Sequence, residues 1–138
     1  MTFKMEAKLL RGSCLCKAVT ILVEDRLEHQ PETCHCVACR KQSGNFLTSV
    51  NVRNSKLTIQ GNENVGWYES YKKVARGFCS RCGSTLFWKP NLEGYEWIAV
   101  AMGLFDERTG TRISKHTFVG EKGDYYDIDD GLTESEDF

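Results

Sequence analysis

All seven cysteines of this 138-residue chain fall into three short clusters. They are Cys14 and Cys16, then Cys34, Cys36 and Cys39, then Cys79 and Cys82. Cysteine thiolates are zinc ligands, and two pairs supply the four sulfurs of a closed, structural tetrahedral site. The remaining triplet is one ligand short, and three protein ligands plus an open position can bind a substrate. The spacing therefore predicts one structural metal site and one open metal site.

The last cluster, Cys79-Ser80-Arg81-Cys82-Gly83, has the pattern of a zinc knuckle. Two intervening residues let both sulfurs point at one metal, and Gly83 tolerates the positive φ that such a tight turn often needs. Cys14 and Cys16 are the natural partners of this pair. Since a structural zinc contributes folding energy directly, removal of either pair is expected to unfold much of the domain.

The central cluster, Cys34-His35-Cys36-Val37-Ala38-Cys39, differs because one loop can turn three sulfurs towards one metal. Its fourth position is left to water, to a non-cysteine ligand or to a substrate thiol. A metal-bound thiol ionises, so such a site could hold a reactive thiolate. His116 is the candidate for a fourth ligand or a proton shuttle. His35 lies between two ligands and is expected to point away from the metal.

The sequence leaves open how the ligands are shared between the two sites and which metal they bind. A ligand from the central loop could complete either site. Iron is compatible with four thiolates, although a CxxC pair combined with a CxC pair favours zinc.

The basic residues close to the clusters are Arg40, Lys41 and Arg81. Each could offset thiolate charge or contact an anionic ligand, or be an ordinary exposed cation.

Length and composition predict a single zinc-binding domain over residues 1–138, with a core of about residues 8–122 and an acidic segment at 123–138.

No apolar run is long enough to span a membrane and no signal-peptide pattern is present, so a cytoplasmic location is expected. In such a reducing compartment, clustered cysteines favour metal binding over disulfides. A pI near 6.3, without a dense Lys/Arg stripe, argues against a nucleic-acid partner.

The apolar residues recur mostly with period two, which is typical of β-strands. Strands are predicted at residues 18–24, 46–52, 56–60, 67–71, 73–78, 84–88 and 95–102. Only Val37–Ser43 looks able to form a helical turn, ending at Gly44. The residues expected to pack in the core or on the sheets are Phe46, Trp67, Trp88, Trp97 and Phe105. The chain is therefore expected to be mainly β, with its cysteines at strand ends and in loops.

Four segments, GSCLC, CHCVACRKQSG, GFCSRCGSTLFW and YYDIDDGL, together resemble the glutathione-dependent formaldehyde-activating enzyme family, which also includes the centromere protein V domain. The resemblance spans about residues 11–132 and implies a β-tent fold of twisted antiparallel sheets stapled by zinc. The implied ligands of the structural zinc are Cys14, Cys16, Cys79 and Cys82. Those of a second, labile and catalytic zinc are Cys34, Cys36 and Cys39. The position after Cys16, often glycine in that family, is Lys17 here.

The reaction implied by the resemblance joins glutathione to formaldehyde and gives S-hydroxymethylglutathione, a carbon–sulfur lyase-type activity. Holding the thiol near an aldehyde lowers the entropic cost of their meeting. The three-cysteine cluster, with its open ligand position, favours an enzyme that acts on a small-molecule thiol. The alternative is a non-catalytic zinc-stapled binding or metal-handling module. The apolar bulk of residues 125–128 predicts that the acidic segment packs back onto the domain, where it could close over the second metal site.

Overall fold

The computed structural model describes residues 8–138, which form two β-sheets with little helix. The strands are β1 (Leu9–Ser13), β2 (Thr20–Glu24), β3 (Glu32–Cys34), β4 (Leu47–Arg53), β5 (Leu57–Gln60), β6 (Val65–Tyr71), β7 (Val74–Cys79), β8 (Thr85–Pro90), β9 (Trp97–Ala101), β10 (Lys115–Thr117) and β11 (Thr133–Glu134). Helix α1 spans Val37–Ser43, and short 3-10 helices lie at Asn54–Lys56, Asn62–Asn64, Met102–Leu104 and Val119–Glu121. The prediction of a mainly β fold is thereby confirmed.

The two sheets differ in size. Strands β1, β2 and β5 form an antiparallel three-stranded sheet in that order, and the other eight follow the order β11-β10-β3-β4-β9-β8-β7-β6. Most neighbours in the larger sheet are antiparallel, but β10 runs parallel to both β3 and β11. This arrangement places the last two strands of the chain beside β3, the strand that ends in Cys34. No helix within residues 8–138 has the length and apolar composition needed to cross a bilayer.

The core lies where alternating apolar side chains of the two sheets meet. In β2 the alternation buries Ile21 and Val23 between more exposed neighbours. In β9 the run from Ile98 to Ala101 is buried at every position, so both faces of this central strand are covered. Burial of this kind supplies most of the free energy that holds a β fold together.

The seven predicted strands are all present, as β2 and β4 to β9, and the predicted helix is α1. Gly44 ends that helix in the left-handed region at φ 90°, with its N–H donating to the Arg40 carbonyl. The five predicted packing aromatics lie at the margins of the fully buried core. Trp67, for example, is 47% exposed and stacks on Phe87, with ring centroids 6.1 Å apart.

Gly12 in β1 fixes the small sheet against the end of β9. It forms an isolated antiparallel bridge with Phe105, just beyond the 3-10 helix Met102–Leu104 that follows β9. A Cβ atom at Gly12 would overlap the backbone carbonyl of Leu104, so only glycine permits this approach. The contact sets the position from which the chain enters the turn of the first cysteine pair.

Candidate metal centres and an adjoining cavity

Two tight turns bring the first and last cysteine pairs together. After β1, the turn of Cys14 and Cys16 is closed by hydrogen bonds from Lys17 N–H to the Cys14 carbonyl and from Cys14 N–H to the Val19 carbonyl, at 3.1 and 2.9 Å. Between β7 and β8, Gly83 N–H donates to the Cys79 carbonyl at 2.7 Å, and Gly83 has the positive φ, 80°, that the sequence predicted. Each turn therefore presents a pair of sulfurs on one side.

The four sulfurs of this cluster have the spacing that a tetrahedral metal requires. Cys16 Sγ lies 3.7 Å from both Cys14 Sγ and Cys79 Sγ, and all four sulfurs, including that of Cys82, lie within 4.8 Å of one another. Sulfurs about 2.3 Å from a tetrahedral zinc would be roughly 3.8 Å apart. The Val19 N–H also donates to Cys14 Sγ at 3.3 Å, which stabilises thiolate charge. The donor set fits a closed four-thiolate metal site.

The second cluster is built by the junction of β3 and α1. Cys34 is the last residue of β3, Cys36 is the N-cap of α1, and Cys39 lies buried in its first turn. The Cys36 sulfur accepts a hydrogen bond from the Cys39 N–H at 3.3 Å. All three sulfurs lie within 4.8 Å of one another. The end of β3, the N-cap and the first turn of α1 thus direct three thiols to one point. Three sulfurs fit a metal that keeps one coordination position open.

His35 points away from these sulfurs, as predicted, because neighbouring side chains of an extended segment alternate. It is 1% exposed, and its Nδ1 and Nε2 lie 2.6 Å from the Tyr126 hydroxyl and 2.8 Å from His116 Nδ1. His116 Nε2 in turn lies 2.8 Å from the Asp130 carboxylate. Both ring nitrogens of His116 are thereby occupied, so it is not available as the fourth ligand of the second cluster.

Arg76 is the cation that contacts the second cluster, and the sequence analysis did not identify it. It lies in β7 at 6% exposure, and its Nη1 donates to Cys39 Sγ at 3.4 Å and to Gln42 Oε1 at 3.1 Å. Of the basic residues singled out from sequence, Lys41 and Arg81 are exposed to solvent. The available signal was that Arg76 interrupts the apolar residues that follow Lys73 in the strand predicted at residues 73–78.

Close packing of the sulfurs makes the thiols of each cluster differ in acidity. Hydrogen bonds from the neighbouring Cys34 and Cys39 thiols lower the pKa of Cys36 to about 2. Hydrogen bonds with the Cys34 and Cys36 thiols, together with burial, raise the pKa of the Cys39 thiol. In the four-cysteine cluster, hydrogen bonds from the Ser84 hydroxyl and N–H lower the pKa of Cys82 to about 5. Each cluster therefore favours a thiolate, which is the form that binds a metal.

A cavity of about 650 Å³ adjoins the second cluster. Its lining includes Cys34, Cys36 and Cys39, whereas no cysteine of the four-sulfur cluster contributes to it among residues 8–138. The rest of the wall comes mainly from β3, β4, β8, β9 and β10. Volumes of a few hundred to a thousand Å³ are typical of small-molecule sites. The three-thiol cluster is thus placed to meet a ligand.

The acidic segment contacts the rest of the domain at the cysteine loop, along the large sheet and at the cavity. Tyr126 packs back onto His35, as expected from the sequence, and β11 extends the large sheet beside β10. Phe138 forms part of the cavity lining and lies against Trp88, with ring centroids 5.9 Å apart. The segment therefore contacts both the cysteine loop and the cavity beside it.

Comparison with known proteins gives relatives over most of the chain. The sequence profile of a family described as glutathione-dependent formaldehyde-activating enzyme matches residues 9–121. A protein of Schizosaccharomyces pombe, named as an uncharacterised lyase, is 30% identical over 120 residues, which are 85% of this chain and 83% of that protein. A Halomonas elongata protein, whose name assigns it provisionally to the glutathione-dependent formaldehyde-activating enzymes, is 33% identical over 86 residues, 57% of this chain and 55% of that protein.

A solved structure shares the fold. The crystal structure of a Rhodobacter sphaeroides protein superposes with a TM-score of 0.58 at 25% sequence identity, covering 71% of this chain and 89% of that one. The profile match over residues 9–121 includes both cysteine clusters and the strands that position them. The chain therefore belongs to the glutathione-dependent formaldehyde-activating enzyme family.

Proposed function

We propose that this chain is a zinc-dependent carbon–sulfur lyase-type enzyme that interconverts S-hydroxymethylglutathione with glutathione and formaldehyde. The family description and the relative named as a lyase support the reaction class. One structural observation carries the proposal: the three-thiol cluster lines a ligand-sized cavity, whereas the four-thiol cluster does not contribute to that cavity. An incomplete metal site beside a cavity can act on a ligand, and a closed one cannot.

The residues of the chain divide between two tasks. Cys14, Cys16, Cys79 and Cys82 would hold a structural zinc, and Cys34, Cys36 and Cys39 would hold the second. Zinc bound at the second cluster would favour the ionised form of a substrate thiol at its open position. Arg76 offsets part of the charge of the three thiolates through its contact with Cys39 Sγ. The cavity wall brings the two substrates together and limits the entry of water.

The proposed reaction needs no further reactant. The thiol sulfur supplies an electron pair to the carbonyl carbon of formaldehyde, and a carbon–sulfur bond forms. The carbonyl π bond breaks towards oxygen, and the proton lost by the thiol ends on that oxygen. The reverse reaction returns the proton to sulfur and breaks the same carbon–sulfur bond.

The test must separate catalysis from spontaneous addition, because thiols add to formaldehyde without an enzyme. Exchange between formaldehyde and its glutathione adduct is measured by NMR exchange spectroscopy, with zinc per chain determined on the same samples. We expect the wild type to hold two zinc ions and to raise the exchange rate above that in buffer. Cys36→Ser should keep one zinc and return exchange to the buffer rate.

The control is Ser80→Ala, at an exposed position beside the structural cluster, which should exchange at the wild-type rate. If the wild type holds two zinc ions but exchange equals that in buffer, the enzyme proposal is wrong. That outcome would favour a non-catalytic zinc-stapled module.

A further inference from the structure

We infer that Arg76 forms a binding position for a negatively charged oxygen beside the second cysteine cluster, and that the aldehyde oxygen occupies this position as the carbon–sulfur bond forms. The inference rests on the proposed function, because it names a catalytic residue for the same site. It is carried by the hydrogen bonds that fix the Arg76 side chain, by the donors that those bonds leave unused and by the place of Arg76 in the cavity wall.

The Arg76 side chain is held in one position by its neighbours. Its Nε donates to the Ser70 hydroxyl at 2.9 Å, and its Nη1 donates to Gln42 Oε1 at 3.1 Å and to Cys39 Sγ at 3.4 Å. The last contact places the guanidinium directly against a sulfur of the cluster at which the substrate thiol would bind. A donor that is already fixed in place needs no reorganisation during the reaction, which is what makes such donors effective.

Two N–H donors of Arg76 remain unused. A guanidinium has five N–H groups, and the contacts above use the one on Nε and both on Nη1. The two on Nη2 make no hydrogen bond with residues 8–138. In this part of the chain the buried side-chain nitrogen without a partner is Arg40 Nε, so Arg76 Nη2 is not buried. Since Arg76 lines the cavity, its unused donors are accessible from there.

The charge of the cluster creates a need for such a donor. Three thiolates and a divalent zinc leave a net negative charge, and a substrate thiolate adds to it. A negative oxygen that forms beside them is repelled unless a cation lies next to it. Within residues 8–138 the Arg76 guanidinium forms no ion pair with a carboxylate, whereas Lys115, another cation of the cavity wall, lies 3.8 Å from the Glu32 carboxylate. The charge of Arg76 therefore acts on the sulfurs and on the cavity.

This arrangement suits the step that forms the carbon–sulfur bond. The thiolate sulfur gives an electron pair to the aldehyde carbon, and the carbonyl π electrons move to oxygen, which becomes an alkoxide two bonds from the sulfur. Arg76 Nη2 donates hydrogen bonds to this oxygen and keeps its protons, because a guanidinium is not deprotonated in proteins. The alkoxide then takes a proton from solvent, which replaces the one that the thiol released to solvent on binding.

The first experiment measures binding by calorimetry, at a zinc concentration that gives two zinc ions per chain in every sample. The ligands are thioacetate and ethanethiol. Thioacetate has a partly negative oxygen on the carbon attached to its sulfur, as the reacting adduct has, and ethanethiol lacks that oxygen. Arg76→Gln should bind thioacetate about tenfold or more weakly than the wild type, because a charged hydrogen bond is lost. It should bind ethanethiol within about threefold of the wild type, since the cysteines are unchanged.

Lys41→Gln is the matched control. Lys41 is an exposed cation on α1, the helix that contains Cys39, and it does not line the cavity. Its replacement removes one positive charge near the cluster and should change neither affinity. The inference is overturned if Arg76→Gln binds thioacetate as well as the wild type does, if it loses ethanethiol in the same proportion, or if Lys41→Gln weakens thioacetate equally.

Exchange between formaldehyde and its glutathione adduct then separates this inference from the proposed function. Removal of one donor to a developing oxyanion typically slows a reaction about 100- to 1,000-fold. With two zinc ions per chain, Arg76→Gln should therefore lose about 99% or more of the exchange that the protein adds to that in buffer, and Lys41→Gln should keep it. Selective loss of thioacetate by Arg76→Gln, in a protein that does not raise the exchange rate, would remove the enzyme proposal and leave the oxygen-binding position. A wild-type exchange rate in Arg76→Gln would remove only the role of Arg76 in the reaction.

Discussion

His35 Nε2 lies 2.8 Å from His116 Nδ1, and this contact joins the loop of the second cysteine cluster to the last strands of the chain. The two histidines are 1% and 7% exposed. Tyr126 on one side and Asp130 on the other extend the contact into a continuous hydrogen-bonded row. Residues of the acidic segment therefore help to fix His35, which lies between the candidate metal ligands Cys34 and Cys36.

We expect Tyr126→Phe to lower the free energy of unfolding by about 1–3 kcal/mol, because a buried ring nitrogen of His35 loses its partner. The measurement is chemical denaturation of the zinc-loaded protein. Tyr125→Phe is the control, since Tyr125 is 63% exposed and its neighbour, not Tyr125, meets His35. Equal stability of the Tyr126 variant and the wild type would show that the row is not a stabilising contact.

The cysteine clusters and most strands could be predicted because their signals are local. A pair of cysteines spaced by one or two residues already places two sulfurs on one side of a turn. Period-two alternation marks a strand such as β2, whose Ile21 and Val23 are buried. The predicted helical turn at Val37–Ser43 likewise depends on a few neighbouring residues and on Gly44.

The features that sequence reasoning missed depend on contacts between distant residues. His35 and Tyr126 are 91 positions apart, and Arg76 and Cys39 are 37 apart. Strands β3 and β10 have three residues each, too few to show a period, and they exist because they pair with neighbours already in the sheet.

The residue after Cys16 gives a prediction about local strain. Lys17 has φ 67°, in the left-handed region that costs a residue with a Cβ about 1–2 kcal/mol. Lys17→Gly removes that strain but adds freedom to the unfolded chain, worth about 0.5–1 kcal/mol. We expect the variant to be between unchanged and about 1.5 kcal/mol more stable in chemical denaturation, with the same zinc content. A clear loss of stability would show that the Lys17 side chain itself contributes.

Arg76→Gln tests the role of the buried cation beside the second cluster. Groups that donate to metal ligands typically change metal affinity by about 10–100-fold when they are removed. We therefore expect the second zinc to bind about 10–100-fold more weakly in a competition titration with a coloured chelator, while the first zinc binds as in the wild type. Arg81→Gln is the control, because Arg81 is exposed although it lies next to Cys82. A similar loss in both variants would assign the effect to overall charge.

Cys82→Ser and Cys34→Ser should have different consequences because their clusters join different parts of the fold. The first cluster ties the turn after β1, in the three-stranded sheet, to the turn between β7 and β8, in the eight-stranded sheet. The second cluster lies within residues 34–39 and closes only a short loop. Structural zinc contributes roughly 10–16 kcal/mol in small zinc domains, so Cys82→Ser should lose the tightly held zinc and much of the cooperative thermal unfolding. Cys34→Ser should lose only the second zinc and keep that transition, as measured by zinc analysis and circular dichroism. If Cys34→Ser unfolds as readily as Cys82→Ser, the second cluster is also a structural site.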